Sequence, residues 1–194
     1  MISKKLKKLC CNFTLMKKIF LLLFVTISFL AQSQEKILVT KLNSQEIQAD
    51  IYIGDDAFGY HYFIKTNVFY KIKENENFQY KNVSLGKISK VDIQNPLKII
   101  LFYENFNTAI ILDNQLNEMQ RINFSLHSKN IIANAVGSSF QNNLWVFNSA
   151  SQQIGLYNYL KNEYTNISTP ISGNIKYYQT NNNTFYWIDQ KVRT

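Results

Sequence analysis

Ile100-Leu101-Phe102-Tyr103 and Leu144-Trp145-Val146-Phe147 are two versions of one apolar run, 44 positions apart. The segments that follow, Ile110-Ile111-Leu112-Asp113-Asn114 and Ile154-Gly155-Leu156-Tyr157-Asn158, keep the same offset. A third run of this kind, Phe185-Tyr186-Trp187-Ile188-Asp189, begins 41 positions after Leu144. Solid apolar runs of this length belong to strands buried on both faces. A repeat of about 40–45 residues made only of strands is the signature of a β-propeller blade. The expected fold is therefore all-β, a β-propeller-like array, with a β-sandwich as the alternative.

Working outward, the same plan recurs. Val68–Lys73 alternates, Glu74-Asn75-Glu76-Asn77 turns, and Phe78-Gln79-Tyr80-Lys81 alternates again, which is a hairpin. Gln94-Asn95-Pro96 is a break, because proline drives its predecessor out of the helical region. Strand starts near 60, 99, 144 and 185 set the blade spacing. Closed propellers carry about four to eight blades. Three repeats and part of a fourth predict an array that is incomplete at its C-terminus.

The first thirty-odd residues are set apart by their own pattern. Lys17-Lys18 precede an apolar run from Ile19 through Leu30, and Ala31-Gln32-Ser33 follows. A basic start, a core of about twelve residues and small residues at the cleavage positions describe a secretory signal peptide. A membrane-spanning helix needs about 20 apolar residues, and Gln32, Gln34 and Glu35 close this run early. The expected organisation is a leader over 1–33, cleaved between Ser33 and Gln34, and a propeller-like domain over 34–194. Met16 is the expected initiator. No membrane span is expected in the mature chain.

Removing the leader changes the charge. The formal net charge of +8 includes Lys4, Lys5, Lys7, Lys8, Lys17 and Lys18, with no acid among residues 1–33, so the mature chain carries +2. A nucleic-acid-binding domain needs a basic face. Lys81, Lys87 and Lys90 come nearest to one, and apolar residues interrupt them. The two cysteines, Cys10 and Cys11, both lie in the leader. The mature chain therefore has neither disulfide nor thiolate chemistry.

Motifs for catalysis are lacking. His61 and His127 are far apart, and no H-x-H, H-E-x-x-H or G-x-S-x-G occurs. Carboxylate pairs can drive glycoside hydrolysis, with Asp92, Glu104, Asp113 and Asp189 as the residues to consider. Turn formation accounts for Asp113 and Asp189 more simply. No phosphate loop or dinucleotide fingerprint is present. We expect a non-enzymatic protein with no cofactor and no metal.

The remaining signals concern binding. Asn105, Asn107 and Asn148 fall in equivalent turns and are candidate contact residues for a protein or peptide. Tyr177, Tyr178 and Trp187 are candidates for stacking on a glycan. Most aromatics inside apolar strands are expected to be core residues. Tyr177 and Tyr178 are adjacent, so one must face away from the core.

Pro96 to Tyr103, Asn105-Phe106-Asn107-Thr108, Leu112-Asp113 and Leu116-Asn117-Glu118 resemble a family of secreted β-propeller proteins of Bacteroidota-type bacteria. Asn134-Ala135-Val136-Gly137, Leu144-Trp145-Val146-Phe147 and Gln152 to Leu156 extend the resemblance over most of the mature chain. It implies fold and export, to the periplasm or the outer surface, without a reaction. It also implies a chain that runs on past Thr194. The expected role is an interaction scaffold for an envelope protein or peptide, with a carbohydrate-binding or carbohydrate-active protein as the alternative.

The leader yields a direct prediction. Expressed in a Gram-negative host, the chain is exported and its mature form begins at Gln34. N-terminal sequencing with intact mass checks this, and a product that retains residues 17–33 refutes it.

Overall fold

The computed structural model describes residues 17, 21, 37, 39, 40, 44, 46–173 and 175–189, without the side chain of Asp189. Ser33, Gln34 and Met16 lie outside the described residues. The chain divides into two units, Met1–Glu46 and Ile47–Thr194. The second is the β unit. Among the described residues, no helix is long and apolar enough to cross a membrane.

The β unit is a series of antiparallel meanders. The first sheet holds β1 (Ile51–Asp55), β2 (His61–Lys65), β3 (Val68–Lys73) and β4 (Glu76–Tyr80). The second holds β5 (Lys90–Asp92), β6 (Ile99–Tyr103), β7 (Thr108–Leu112) and β8 (Glu118–Asn123). The third holds β9 (Ala133–Ser138), β10 (Asn143–Asn148), β11 (Gln153–Asn158) and β12 (Glu163–Asn166). The fourth shows a hairpin of β13 (Ile175–Thr180) and β14 (Phe185–Asp189). Within each sheet the strands lie side by side in chain order. That is the build of a propeller blade. The repeat read from the sequence corresponds to the second strand of each blade: β2, β6, β10 and β14.

The solid apolar runs have a simple physical cause. Side chains alternate between the two faces of a strand. On β6, Ile100 and Phe102 join a core shared with Leu144 and Val146 of the third sheet. Ile99, Leu101 and Tyr103 join a different core, shared with Tyr62 and Phe69 of the first sheet. On β10, Leu144 and Val146 face the second sheet, while Trp145 and Phe147 pack with Phe185 of the fourth. Each inner sheet is thus buried on both faces. A two-sheet sandwich shares one core and leaves its outer faces to solvent, so the sandwich alternative is set aside. Each fully buried aliphatic or aromatic side chain contributes roughly 1.5–3 kcal/mol, and all five residues of β6 are buried.

The linkers between blades are held by asparagine amides. Asn67, in the β2–β3 turn, donates through Nδ2 to the Gly86 carbonyl (2.7 Å) and accepts through Oδ1 from the Ile88 N–H (3.0 Å). Asn107, in the β6–β7 turn, repeats the pattern one blade later. It donates to the Ile131 carbonyl (2.7 Å) and accepts from the Ala133 N–H (2.9 Å). In each case the amide satisfies a carbonyl and an N–H two residues apart on the linker entering the next blade. Both asparagines adopt left-handed backbone, with φ of 57° and 47°. Asparagine tolerates this conformation better than most residues.

Blade 3 meets blade 4 very closely. A Cβ added at Gly137 of β9 would lie 2.1 Å from Thr180 Oγ1 and 2.8 Å from Thr180 Cγ2. Only a residue without a side chain lets β13 approach β9 here. Gly137→Ala is expected to cost about 1–3 kcal/mol by overpacking. Urea denaturation of the two proteins checks it, and an unchanged midpoint would show that β13 does not pack there.

Candidate ligand-binding cavity

The first strands of the four blades converge, and β9 lies against both β5 and β13. Around this convergence is a cavity of about 450 Å³. Blade 1 contributes Ile53 and the loop Asp55–Phe58, blade 2 contributes Lys90–Gln94 and Pro96, blade 3 contributes Val136, and blade 4 contributes Tyr177–Thr180. Its size falls in the range of about 300–1,000 Å³ typical of small-ligand sites.

The three carboxylates on its wall each have donors. Asp92 is buried. Its Oδ2 accepts from the Ser138 N–H at 2.7 Å, the Thr180 hydroxyl at 3.2 Å and Gln94 Nε2 at 3.3 Å. Its Oδ1 accepts from the Gln94 N–H at 3.0 Å. One carboxylate therefore ties β5 to β9 and β13. Gln94 Nε2 also donates to the Thr180 carbonyl. Asp56 caps the loop after β1. Its Oδ1 takes the N–H groups of Phe58 (2.9 Å) and Tyr60 (3.0 Å), and its Oδ2 takes the Tyr62 phenol (2.8 Å). Burial works against its charge, but the Tyr60 N–H, the Tyr62 phenol and the Phe58 N–H hold its carboxyl below the usual range.

Asp55 stands at the rim. Its Oδ1 accepts from the Tyr52 phenol and meets His61 Nδ1 at 2.5 Å. The Tyr52 hydrogen bond, then that of His61, lowers the Asp55 carboxyl. Burial, helped by Asp55, pushes the Tyr52 phenol up to about 12.

Lys90 is the cation of the cavity. Its ammonium sits 5.2 Å from the ring centroids of both Tyr177 and Tyr178, a cation–π arrangement. The two tyrosines divide as adjacent strand residues must. Tyr177 is 53% exposed. Tyr178 turns inward, its hydroxyl donating to the Val136 carbonyl at 3.1 Å and accepting the Val136 N–H at 3.2 Å. Its ring stacks on Phe185 at 5.8 Å, and burial pushes its phenol up.

A second cavity of about 280 Å³ adjoins the first, and Phe58 and Pro96 line both. Lys71 reaches into it. This lysine is buried, donates to the Asn114 carbonyl at 2.7 Å, and lies 4.1 Å from the Tyr60 centroid and 5.7 Å from that of Phe78. Burial lowers its basicity, against the pull of Asp56, Glu76 and Asp113. It fastens blade 1 to the β7–β8 turn of blade 2.

The residues singled out in the sequence separate accordingly. Tyr177 and Tyr178 line the main cavity. Trp187 is 43% exposed on β14 and is not among the lining residues. Tyr177 is the member of its pair that faces outward, as expected; Tyr186 and Trp187 are surface aromatics, contrary to the expectation of core packing, while Trp145 is buried and donates to the Asn181 carbonyl at 2.8 Å. Asn107 spends its amide on the linker into β9. Asn148 does likewise, accepting from Ile132 N–H at 2.9 Å and donating to the Asn130 carbonyl at 2.9 Å. Asn105 is exposed in the short 3-10 turn Glu104–Phe106. None of the three asparagines lines the cavity. Asp113 closes a turn by accepting from the N–H groups of Gln115 and Asn117, both at 2.8 Å. His127 contacts the rings of Tyr157 and Tyr164. Among the described residues, no cluster of three or more potential metal ligands occurs.

Sequence reading missed Lys90, Asp55 and Phe58 as lining residues. Lys90 carried a faint signal as one of three scattered lysines. Nothing in the sequence placed it on a three-residue strand at the point of convergence.

Comparison with known proteins gives little more. No protein-family model matches the chain, and no curated protein sequence does. Among solved structures, the chain is similar to selenomethionine-substituted virginiamycin B lyase from Staphylococcus aureus, at 12% identity over 61% of this chain and 41% of that one, with a TM-score of 0.43. A catalytically inactive form of that lyase with quinupristin matches at 11% identity over 72% and 55%, with a TM-score of 0.46. AztD from Citrobacter koseri matches at 12% identity over 66% and 36%, with a TM-score of 0.44. The chain thus spans less than two thirds of each of these structures.

Asp92 gives the test of this geometry. Asp92→Ala removes the acceptor of the Ser138 N–H and the Thr180 hydroxyl in a buried place. It is expected to lower the unfolding free energy by about 3 kcal/mol. Chemical denaturation measures this, and a change below about 0.5 kcal/mol would refute the junction.

Proposed function

We propose that the chain is an exported, non-enzymatic scaffold of the bacterial envelope that binds a peptide or protein segment in the cavity where the four blades converge. The observation that carries this reading is the state of the cavity's polar groups. Asp56 and Asp92 are held by internal donors, which suits a structural role, and Asp55 at the rim is paired with His61 and Tyr52. Its walls include Ile53, Val91, Ile93 and Val136, and its rim carries the exposed Phe58 and Tyr177. Apolar walls with aromatic edges are what peptide side chains bury against. Propeller blades supply the rigid frame on which such loops are held.

The glycan reading needed Tyr177, Tyr178 and Trp187 to act as one platform. Tyr178 is instead committed to Val136 and Phe185, and Trp187 stands apart from the cavity. The peptide reading is therefore preferred.

A synthetic tripeptide library, made both as free acids and as C-terminal amides, tests the proposal by titration calorimetry against the whole chain. Expected are peptides that bind the wild type and lose at least tenfold in affinity to the Phe58→Ala/Tyr177→Ala double variant. Failure of every peptide, or equal binding to the variant, overturns it.

A further inference from the structure

The second strand of each inner blade has two faces with two different neighbours. On β6, Ile99 and Leu101 look back to the preceding blade, and Ile100 and Phe102 look forward to the following one. On β10, Leu144 and Val146 look back, and Trp145 and Phe147 look forward. The outer blades use one face each. Tyr62 and Ile64 of β2 look forward into the core shared with blade 2. Phe185 of β14 looks back into the core shared with Trp145 and Phe147. Side chains alternate along a strand. Phe63 therefore looks back from blade 1, and Tyr186 and Ile188 look forward from blade 4.

The forward face of blade 4 has the composition of a blade junction. Tyr186 and Ile188 hold the places that Ile100 and Phe102 hold on β6, and Trp145 and Phe147 on β10. Those four are buried, whereas Tyr186 is 58% and Ile188 51% exposed. Large apolar side chains left together on a regular sheet face mark an interaction surface.

The backward face of blade 1 is apolar as well. The strand register sets Tyr52 of β1, Phe63 of β2 and Tyr70 of β3 side by side across the sheet. Phe63 stacks on Tyr70 with 5.1 Å between ring centroids, and Tyr52 is half-exposed. Val68 and Ile72 flank Tyr70 on the same side of β3. Phe63 and Val68 stay outside the core shared with blade 2.

The repeat selects the occupant. The chain makes the same junction three times, a forward face against a backward face. What completes a forward face is the backward face of a blade. This chain carries one, on blade 1, that no other blade covers among the described residues. We infer that the forward face of blade 4 docks on the backward face of blade 1 of a second copy, Tyr186 and Ile188 meeting the Tyr52–Phe63–Tyr70 row. The contact joins unlike faces and is heterologous: made twice between two copies it closes, and otherwise it runs on into longer assemblies. It does not depend on peptide binding in the cavity.

Sedimentation velocity of the whole chain, purified after export, tests this. The variants are Ile188→Asp and Tyr52→Lys, both at exposed positions, and melting curves verify that each is folded. Expected is a wild type that sediments as two or more copies at tens of micromolar. Each variant alone is a monomer, because every junction then lacks one sound face. Mixing the variants restores a single junction, between blade 4 of Tyr52→Lys and blade 1 of Ile188→Asp, so a heterodimer forms and nothing larger. A monomeric wild type overturns the inference and leaves these faces to a different protein. Assembly that survives in either variant alone overturns it too, because the contact then joins like faces or lies elsewhere. So does a mixture that stays monomeric while the wild type associates.

Discussion

The carboxylate of Asp92 is the constraint around which the convergence of the blades is built. Blades pack face to face through apolar cores, and each sheet satisfies its own backbone internally. Their first strands are different. At the convergence β5, β9 and β13 belong to separate sheets and do not form ladder pairs with one another. Groups such as the Ser138 N–H and the Thr180 hydroxyl then face a neighbouring sheet and need an acceptor there, since a buried donor left unpaired costs about 1–3 kcal/mol. Asp92 supplies it for both, and Gln94 adds the Thr180 carbonyl. Burying a carboxylate is unfavourable unless it is fully hydrogen-bonded, and four donors meet this one. The close approach of Gly137 to Thr180 belongs to the same junction. A side chain at 137 would hold β13 away from the carboxylate.

This junction also explains which parts of the architecture were legible. The second strands of the two inner blades show in the sequence because both their faces are buried, as Ile99–Tyr103 and Leu144–Phe147 are. The first strands do not show. β5 is only Lys90-Val91-Asp92, with a charge at each end, and no rule of alternation identifies a strand of three residues. Its polar composition comes from the convergence, where Asp92 must satisfy two other sheets and Lys90 faces the cavity. Asp92 was recognisable as a carboxylate worth considering for chemistry. That it is saturated with donors depends on residues up to 88 positions away.

The asparagines show the same limit differently. Their placement in turns was readable, because asparagine tolerates left-handed backbone. What the side chains do was not, because Asn107 acts on Ile131 and Ala133 across the gap between blades. Asn67 performs the same clamp on Gly86 and Ile88 and drew no notice, since its Thr66-Asn67 turn looks like any hairpin. In blade 3 the corresponding turn residue is Gln152, again with positive φ. There the backbone carbonyl takes over, accepting the Ile171 N–H at 2.7 Å. The repeat conserves the task of fixing the next linker more strictly than it conserves the group that performs it.

Taken with the cavity, this division bears on where function can reside. The β2–β3 and β6–β7 turns hold the blade linkers, and their asparagine amides are committed to backbone. The cavity is enclosed by β5 together with the ends of β1 and β13. There Asp56 and Asp92 are committed as well, to a cap and to the junction between sheets. Asp56 holds the loop that carries Phe58, and Asp92 holds β13. Lys90 makes ring contacts with Tyr177 and Tyr178. The exposed rings of Phe58 and Tyr177 at the rim carry no such hydrogen-bonding duty.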